Sequence, residues 1–265
     1  MIAECVARGA ELVVLPECFN SPYGTKYFPE YAEVLDLSSP TVSSMSAAAR
    51  EHNIWLVAGS FPERRHTKEE SSQLYNTCVT YNPSGEIAGV HRKVHLFRID
   101  TETVKMNEAD VLAAGDSATP VTFTSGKHTN TSFGVGICFD IRFPQMAWHY
   151  QRQNTSFLVY PGAFNMVTGP AHWTLMAQAR AIDTQQFVVL CSPARDPHAG
   201  YVAYGHSCVV DPWGTVIAEL DEKEGVIVVE MDLKRISDVR QQLPILSGQR
   251  DDLYTLSWRS TGESH

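Results

Sequence analysis

Residues 131–144 read Thr-Ser-Phe-Gly-Val-Gly-Ile-Cys-Phe-Asp-Ile-Arg-Phe-Pro. An apolar run with β-strand character ends at Cys138, and Pro144 stands where it favours the start of a helix. A thiol on such a strand-to-helix turn projects into open space beside helix N–H groups, which favours the nucleophilic thiolate. Gly134 and Gly136 leave room for close backbone packing just before the turn. Shape alone leaves a catalytic cysteine and a small buried hydrophobic residue equally open.

Short β-like runs alternate with helical stretches on both sides of this turn. Two sequences, Asn82-Pro-Ser-Gly85 and Asp211-Pro-Trp-Gly214, predict β-hairpins because Asn, Pro, Asp and Gly favour tight turns. The apolar run at residues 226–231 predicts a further strand, followed by a helix over residues 232–241. Strands outnumber helices, and hairpins mix with β-α-β steps. The pattern therefore predicts a mixed α/β fold, a sandwich of sheets with helices outside.

Composition limits the classes of protein to which the chain can belong. Its 265 residues are 43% hydrophobic, which suffices for one large core. We therefore expect a single domain over residues 1–265, with the core reaching about residue 245 and a tail over residues 246–265. The formal net charge of −9 argues against a nucleic-acid partner, which normally requires a basic surplus. No apolar run reaches the ~18 residues of a membrane span.

The cysteines and the first residues bear on the compartment and on the start of the fold. The six cysteines form no C-x-x-C pair and mostly lie in apolar runs, as expected in a reducing compartment. Without a signal peptide, we expect a cytosolic protein, and a mitochondrial location stays open. Residues 1–9 read as the second half of an amphipathic helix with Gly9 near its C-cap. A strand usually precedes such a helix, so we expect a fold that lacks its first strand.

Three polar residues each end an apolar run: Glu17, Lys93 and Cys138. Side chains at strand ends can converge at one rim of a sheet, where functional sites form. Amide hydrolysis needs a thiol nucleophile, a carboxylate base with a pKa raised by burial, and donors that stabilise an oxyanion. The lysine would also lower the pKa of the cysteine. Each residue alone is also consistent with a structural role, and the three together favour a site.

Three segments resemble the signature segments of the nitrilase superfamily of carbon–nitrogen hydrolases, in that family's order. They are Leu15-Pro-Glu17, His91-Arg-Lys-Val-His-Leu96 and Gly136-Ile-Cys-Phe-Asp-Ile-Arg-Phe143. Downstream segments, among them Tyr160-Pro-Gly-Ala-Phe-Asn165 and Asp211-Pro-Trp-Gly214, resemble the omega-amidase branch most. The resemblance covers nearly the whole chain and implies a four-layer α-β-β-α sandwich that forms a homodimer.

The same resemblance implies roles for four residues. Glu17 would be the general base, Lys93 the oxyanion stabiliser and Cys138 the nucleophile. The family often has a second glutamate between the lysine and the cysteine, and Glu108 falls where it is expected. Its task would be to orient Lys93, and the alternative is a surface glutamate.

The substrate pocket has further candidates. Arg142, four residues after Cys138, is suited to binding a substrate carboxylate because a guanidinium meets a carboxylate bidentately. The alternative for Arg142 is a structural salt bridge with Asp140 or another acid. The candidates for the pocket wall, each also consistent with ordinary packing, are Tyr23, Phe139, Phe164, His172 and Trp173.

The leading hypothesis is an omega-amidase, which would hydrolyse the terminal amide of α-ketoglutaramate or α-ketosuccinamate through a Cys138 thioester. An amidase for deaminated glutathione and an N-carbamoyl amide hydrolase are alternatives within the same chemistry. A different class also stays open, a truncated and inactive chain that acts only by binding. We expect no metal and no cofactor, because the sequence has no H-E-x-x-H, Walker or G-x-G-x-x-G motif.

Overall fold

The computed structural model describes residues 1–66 and 72–258. The first of its two large sheets is built around the long strand β4, which lies antiparallel to β2, β3 and β5, while β1 lies parallel to β2. The strands of this sheet are β1 (Leu12–Val14), β2 (Trp55–Val57), β3 (Phe61–His66), β4 (Ser72–Tyr81) and β5 (Ile87–Arg92). A separate two-stranded hairpin follows, with β6 (Arg98–Asp100) and β7 (Lys105–Asn107).

The second large sheet has a parallel centre and antiparallel edges. Its strands are β8 (Val121–Thr122), β9 (Ser132–Val135), β10 (Phe157–Pro161), β11 (Phe187–Cys191), β12 (Cys208–Val210) and β13 (Val216–Glu219). They lie in the order β13-β12-β11-β10-β9-β8, with β9, β10 and β11 parallel. Both predicted hairpins are confirmed, since β4 pairs with β5 across residues 82–85 and β12 pairs with β13 across residues 211–214.

The helices lie in two groups. They are α1 (Ile2–Ala7), α2 (Phe28–Tyr31), α3 (Pro40–His52), α4 (Pro144–Arg152), α5 (Gly169–Thr184) and α6 (Lys234–Gln242). Helix α3 packs on α1 and on the first sheet, whereas α4 and α5 pack together on the second sheet. Proline stands in the first turn of α3, α4 and α5, where its missing N–H costs no helical hydrogen bond. No helix in the described part of the chain is long and apolar enough to span a membrane.

One hydrophobic cluster joins the two large sheets. It contains Trp55 and Val57 from the first sheet and Phe133, Val135 and Leu158 from the second, all buried. The predicted mixed α/β class is therefore confirmed, and the four-layer order stays a prediction. Within the predicted tail a short 3₁₀ helix spans Leu246–Gly248, while residues 259–265 lie outside the described residues.

The glycines before the turn at Cys138 are required by packing. A Cβ atom built on Gly134 would lie 2.5 Å from the ring of Tyr150, and one on Gly136 would lie 2.5 Å from the ring of Tyr160. Real side chains do not approach so closely, and both tyrosines are fully buried and therefore cannot swing away. The close packing that the sequence predicts is confirmed.

The strand predicted at residues 226–231 is wrong. The segment belongs to neither large sheet and borders a cleft of about 1290 Å³, which β1 also borders. An apolar run indicates that a segment is at least partly buried, but a strand also needs a neighbouring backbone for its ladder of hydrogen bonds. Among the described residues, β1 pairs with β2 alone and residues 226–231 pair with no strand.

Candidate active site

Cys138 lies on a sharp turn between β9 and α4. It is the first residue of a 3₁₀ helix, Cys138–Arg142, and its φ of 47° lies in the left-handed region. Such a backbone costs of order 1–3 kcal/mol for a residue with a side chain, so the surrounding structure must hold it. One neighbour is Gly162, where an added Cβ would lie 3.2 Å from the Cys138 Cα. The thiol is thus fixed on a strained turn and is 4% exposed.

Lys93 lies between two carboxylates in the interior. Its Nζ is 3.0 Å from Glu17 Oε1 and 3.0 Å from Glu108 Oε1, and all three side chains are buried. Glu17 follows β1, Lys93 follows β5, and Glu108 begins a 3₁₀ helix after β7. Three segments distant in sequence therefore bring two acids and one base together. Glu108 therefore lies buried against Lys93 and not on the surface, and its orienting role stays a prediction.

Further donors fix the orientation of both carboxylates. Glu17 accepts hydrogen bonds from Asn76 Nδ2 (2.8 Å) and from the Ala163 backbone N–H (2.8 Å). Glu108 accepts hydrogen bonds from the Phe97 N–H (2.7 Å) and the Tyr23 hydroxyl (2.8 Å). Buried carboxylates are tolerable only when their lone pairs are satisfied in this way.

The electrostatic balance of the site opposes a thiolate in the resting protein. Burial and the Glu17 carboxylate raise the pKa of the Cys138 thiol well above its usual value, while Lys93 lowers it only in part. The expectation that the turn favours the thiolate is therefore wrong, although the expected effect of the lysine is present. Burial and the charge of Glu108 also raise the pKa of Glu17. A raised carboxylate pKa suits Glu17 to take up the thiol proton.

Lys93 itself stays charged. Its desolvation opposes the ammonium form, but the charges of Glu108 and Glu17 outweigh this effect and raise the pKa of Lys93 well above its usual value. A fixed and buried ammonium stabilises developing negative charge far better than the same group does in water. The arrangement can therefore support attack of a thiol on a carbonyl carbon.

Arg142 points away from the acid expected as its alternative partner. Asp140 is occupied by His91 and His95, so the salt bridge suggested between Arg142 and Asp140 is wrong. The guanidinium instead lies 3.3 Å from His172 Nδ1 and stacks 4.7 Å above the ring of Phe164. Among the described residues, no carboxylate lies within salt-bridge distance of Arg142. Burial lowers its pKa, because a desolvated cation here lacks a counter-charge.

The other predicted wall residues divide into two groups. Phe139, Phe164 and His172 contact Arg142, whereas Tyr23 donates its hydroxyl hydrogen bond to Glu108. Trp173 lies deeper, where its ring packs against Phe164 and its Nε1–H donates to the His206 carbonyl. Trp173 thus packs against Phe164, which is itself a candidate for the pocket wall.

Three contributors to the site were not predicted from the sequence. Asn76 and the Ala163 backbone both hold Glu17, and Tyr201 donates its hydroxyl hydrogen bond to the Ala163 carbonyl at 2.6 Å. The Tyr201 ring lies 4.5 Å from the ring of Tyr23. Asn76 had no clear signal, because its strand also contains other polar residues, among them Thr77 and Thr80. Tyr201 had none, because its loop reaches the site only in the folded chain.

Metal-binding geometry is absent from the described residues. Within residues 1–66 and 72–258, no group of three or more His, Cys, Asp or Glu side chains is arranged to hold a metal ion.

Known proteins resemble the chain in both sequence and structure. The model of the family "Carbon-nitrogen hydrolase" matches residues 1–241. Omega-amidase NIT2 of Xenopus tropicalis is 47% identical over 97% of this chain and 89% of its own length. Human omega-amidase NIT2 is 44% identical over 97% of this chain and 90% of its own length. The crystal structure of Saccharomyces cerevisiae Nit3, a member of branch 10 of the nitrilase superfamily, superimposes with a TM-score of 0.83. It is 42% identical and covers 94% of this chain and 87% of its own.

Proposed function

Because this chain belongs to the carbon–nitrogen hydrolase family, we propose that it is an omega-amidase acting on a small dicarboxylate monoamide. Membership makes it a hydrolase of carbon–nitrogen bonds, and the relatives named omega-amidase NIT2 are 44–48% identical to it. The proposed substrates are α-ketoglutaramate and α-ketosuccinamate, each with a terminal amide at one end and a carboxylate at the other. The products are the dicarboxylate and ammonia.

One observation carries the choice of substrate: Arg142 is half-buried, close to Cys138, and without a carboxylate partner among the described residues. A thiolate at Cys138 would raise the pKa of Arg142, which places the two groups within electrostatic range. A carboxylate on the substrate would supply the missing counter-charge. It would then hold the amide at the other end of the substrate against the thiol.

The proposed reaction begins with proton transfer. Glu17 takes the proton of the Cys138 thiol, and the sulfur attacks the amide carbon to form a tetrahedral intermediate. Lys93 and the backbone N–H that follows the nucleophile stabilise the oxyanion. The proton on Glu17 passes to the leaving nitrogen, the carbon–nitrogen bond breaks, and ammonia leaves a thioester on Cys138.

Hydrolysis of the thioester completes the cycle. Glu17, again ionised, takes a proton from water while the hydroxide attacks the thioester carbon. Collapse of the second tetrahedral intermediate breaks the carbon–sulfur bond, and Glu17 returns the proton to the thiolate. Glu108 takes no part in bond making in this scheme and holds Lys93 in place.

The pH dependence of the reaction should carry the signature of Glu17. Its pKa is raised mainly by burial, so it takes up a proton at a higher pH than a free glutamate, whose pKa is about 4.3. We expect kcat/KM to fall as the pH drops through a midpoint above that value. Initial rates of ammonia release across the acid range measure it. A midpoint at or below the ordinary value would contradict the assignment of Glu17 as base.

Arg142→Gln tests the substrate directly. Loss of a charge-assisted hydrogen bond worth ~1.5–3 kcal/mol should lower kcat/KM for α-ketoglutaramate by about 10- to 150-fold. The rate with butyramide, which has no carboxylate, should change by less than about 3-fold. Arg152→Gln is the matched control, because Arg152 is exposed at the end of α4.

Equal losses for both substrates in Arg142→Gln would contradict carboxylate binding. A panel with a glutathione-like amide and an N-carbamoyl amide separates the remaining alternatives, since the preferred substrate has the highest kcat/KM.

Homodimer formation and a cytosolic location belong to the same proposal, by resemblance to the family. The exposed apolar side chains of Leu175 and Ile182 on α5, with Trp213 nearby, favour a second copy packing there. Light scattering on the purified chain tests the homodimer, since a dimer has twice the mass of the monomer.

A further inference from the structure

Asp140 lies fully buried two residues after the nucleophile and takes no part in the scheme above. Its Oδ2 accepts a hydrogen bond from the Ile137 backbone N–H at 2.9 Å, and His91 Nε2 lies 2.9 Å from the same oxygen. Its Oδ1 accepts a hydrogen bond from the His95 backbone N–H at 2.9 Å, and His95 Nδ1 lies 2.8 Å away. Each oxygen therefore has two nitrogen partners.

These partners come from two different parts of the fold. Ile137 precedes Cys138 on the turn after β9, in the second sheet. His91 and His95 flank Lys93, and β5, which ends just before Lys93, belongs to the first sheet. One carboxylate thus ties the turn that carries the thiol to the segment that carries the ammonium.

The strained backbone of the turn at Cys138 must be held in place by surrounding contacts. Cys138 has a φ of 47°, and Asp140 closes a ring around it: its backbone N–H donates to the Ile137 carbonyl at 3.0 Å. Its carboxylate accepts from the Ile137 N–H at the same time. The ring of His95 also stacks on the ring of Phe143, with a centroid distance of 3.7 Å. Phe143 directly follows the 3₁₀ helix that Cys138 begins, so this contact joins the same two segments.

We propose that Asp140 is a positioning residue that sets the Cys138 thiol against Lys93 by joining their two segments. The proposal rests on the amidase function described above, because it explains how the Cys138 thiol is held opposite Lys93 in that site. It predicts that losing the tie impairs the chemical step more than substrate binding, since Arg142 lies outside the hydrogen-bonded cluster.

Asp140→Asn tests the proposal with almost no change of shape. An amide has one acceptor oxygen, and its NH₂ group would face two nitrogens on the other side. The imidazoles can change tautomer to accept from that NH₂, but a backbone N–H cannot. Whichever way the amide turns, the N–H of Ile137 or of His95 loses its acceptor.

We expect Asp140→Asn to lower kcat by about 100-fold, the effect of displacing reacting groups by roughly 1 Å, with KM changed by less than about 3-fold. Alkylation of Cys138 by iodoacetamide, which needs no turnover, should slow by about 10-fold. Loss of a negative charge alone would favour the thiolate and speed alkylation. A slower reaction therefore has the sign of lost positioning.

Two further variants keep the test decisive if Asp140→Asn unfolds. His91→Gln retains an N–H donor near the Nε2 position, whereas His91→Leu removes it and keeps similar bulk. The glutamine variant should recover most of the kcat and of the alkylation rate that the leucine variant loses. Asp238→Asn, on the outer helix α6, is the control for loss of an aspartate elsewhere.

Unchanged kcat and alkylation rate in a folded Asp140→Asn would overturn the proposal, as would equal losses in both His91 variants. Alkylation also separates this proposal from the amidase proposal. If the native chain releases no ammonia from any amide but Asp140→Asn still slows alkylation, the positioning role stands and the function is wrong.

Discussion

Cys138→Ala should abolish ammonia release from α-ketoglutaramate, with a loss of at least about 10⁴-fold in kcat. In the proposed reaction the sulfur forms the covalent bond, and none of the neighbouring groups can replace it. Glu17 could at best activate water for direct attack, which leaves the amide without a thioester step. Alanine tolerates the left-handed backbone about as well as cysteine does, so we expect a folded protein with a nearly unchanged melting temperature.

Cys208→Ala is the matched control for this change. Cys208 is also buried, in β12. Its replacement by alanine likewise deletes one buried sulfur atom, but outside the cluster of Glu17 and Lys93. Its kcat should stay within about 3-fold of the native value. Comparable activity in the Cys138 and Cys208 variants would exclude Cys138 as the nucleophile.

Lys93→Met should cost both activity and stability. The ammonium is expected to stabilise the oxyanion and to lower the pKa of the attacking thiol, so kcat should fall by about 10³-fold or more. Methionine has similar length but no charge, and it leaves Glu17 and Glu108 facing each other in the interior. Breaking such a buried ion pair typically destabilises a protein by about 3–5 kcal/mol.

The stability loss should depend on pH in a defined direction. Without the ammonium, burial and mutual repulsion raise the folded-state pKa values of the two carboxyl groups above the unfolded value of about 4.3. A group with a raised folded pKa stabilises the fold below its unfolded pKa, and that contribution is lost as the pH rises through the folded pKa. The deficit of Lys93→Met against the native chain should therefore grow as the pH rises above about 4.3.

Lys105→Met is the control for this series, because Lys105 is 73% exposed and pairs with an exposed Asp100. Its free energy of unfolding should change by less than about 0.5 kcal/mol at any pH. A pH-independent deficit in Lys93→Met would contradict the account of two carboxylates held by one buried cation.

Much of the site was predictable from the sequence because its main residues stand at the ends of apolar runs. Glu17, Lys93 and Cys138 each follow a strand or a short extension of one, and strand ends meet at one rim. Glu108 was different. It sits in a short 3₁₀ helix after a small hairpin, and only the family resemblance singled it out.

The features that were missed depend on tertiary packing. The direction of the Cys138 pKa follows from complete burial beside Glu17, which no local sequence pattern reports. The pairing of Asp140 with two histidines rules out Asp140 as the alternative partner of Arg142, and it could not be inferred from spacing. The apolar run at residues 226–231 indicated partial burial but said nothing about a neighbouring strand, and the segment pairs with none among the described residues.

The central claim is that this site hydrolyses an amide whose far end carries a carboxylate. The most direct test is ammonia release by the purified native chain from α-ketoglutaramate and from butyramide, compared as kcat/KM. We predict turnover of both, with α-ketoglutaramate favoured by about 10- to 150-fold, as expected for one charge-assisted contact to Arg142. Equal values for the two amides, or ammonia from neither, would contradict the claim.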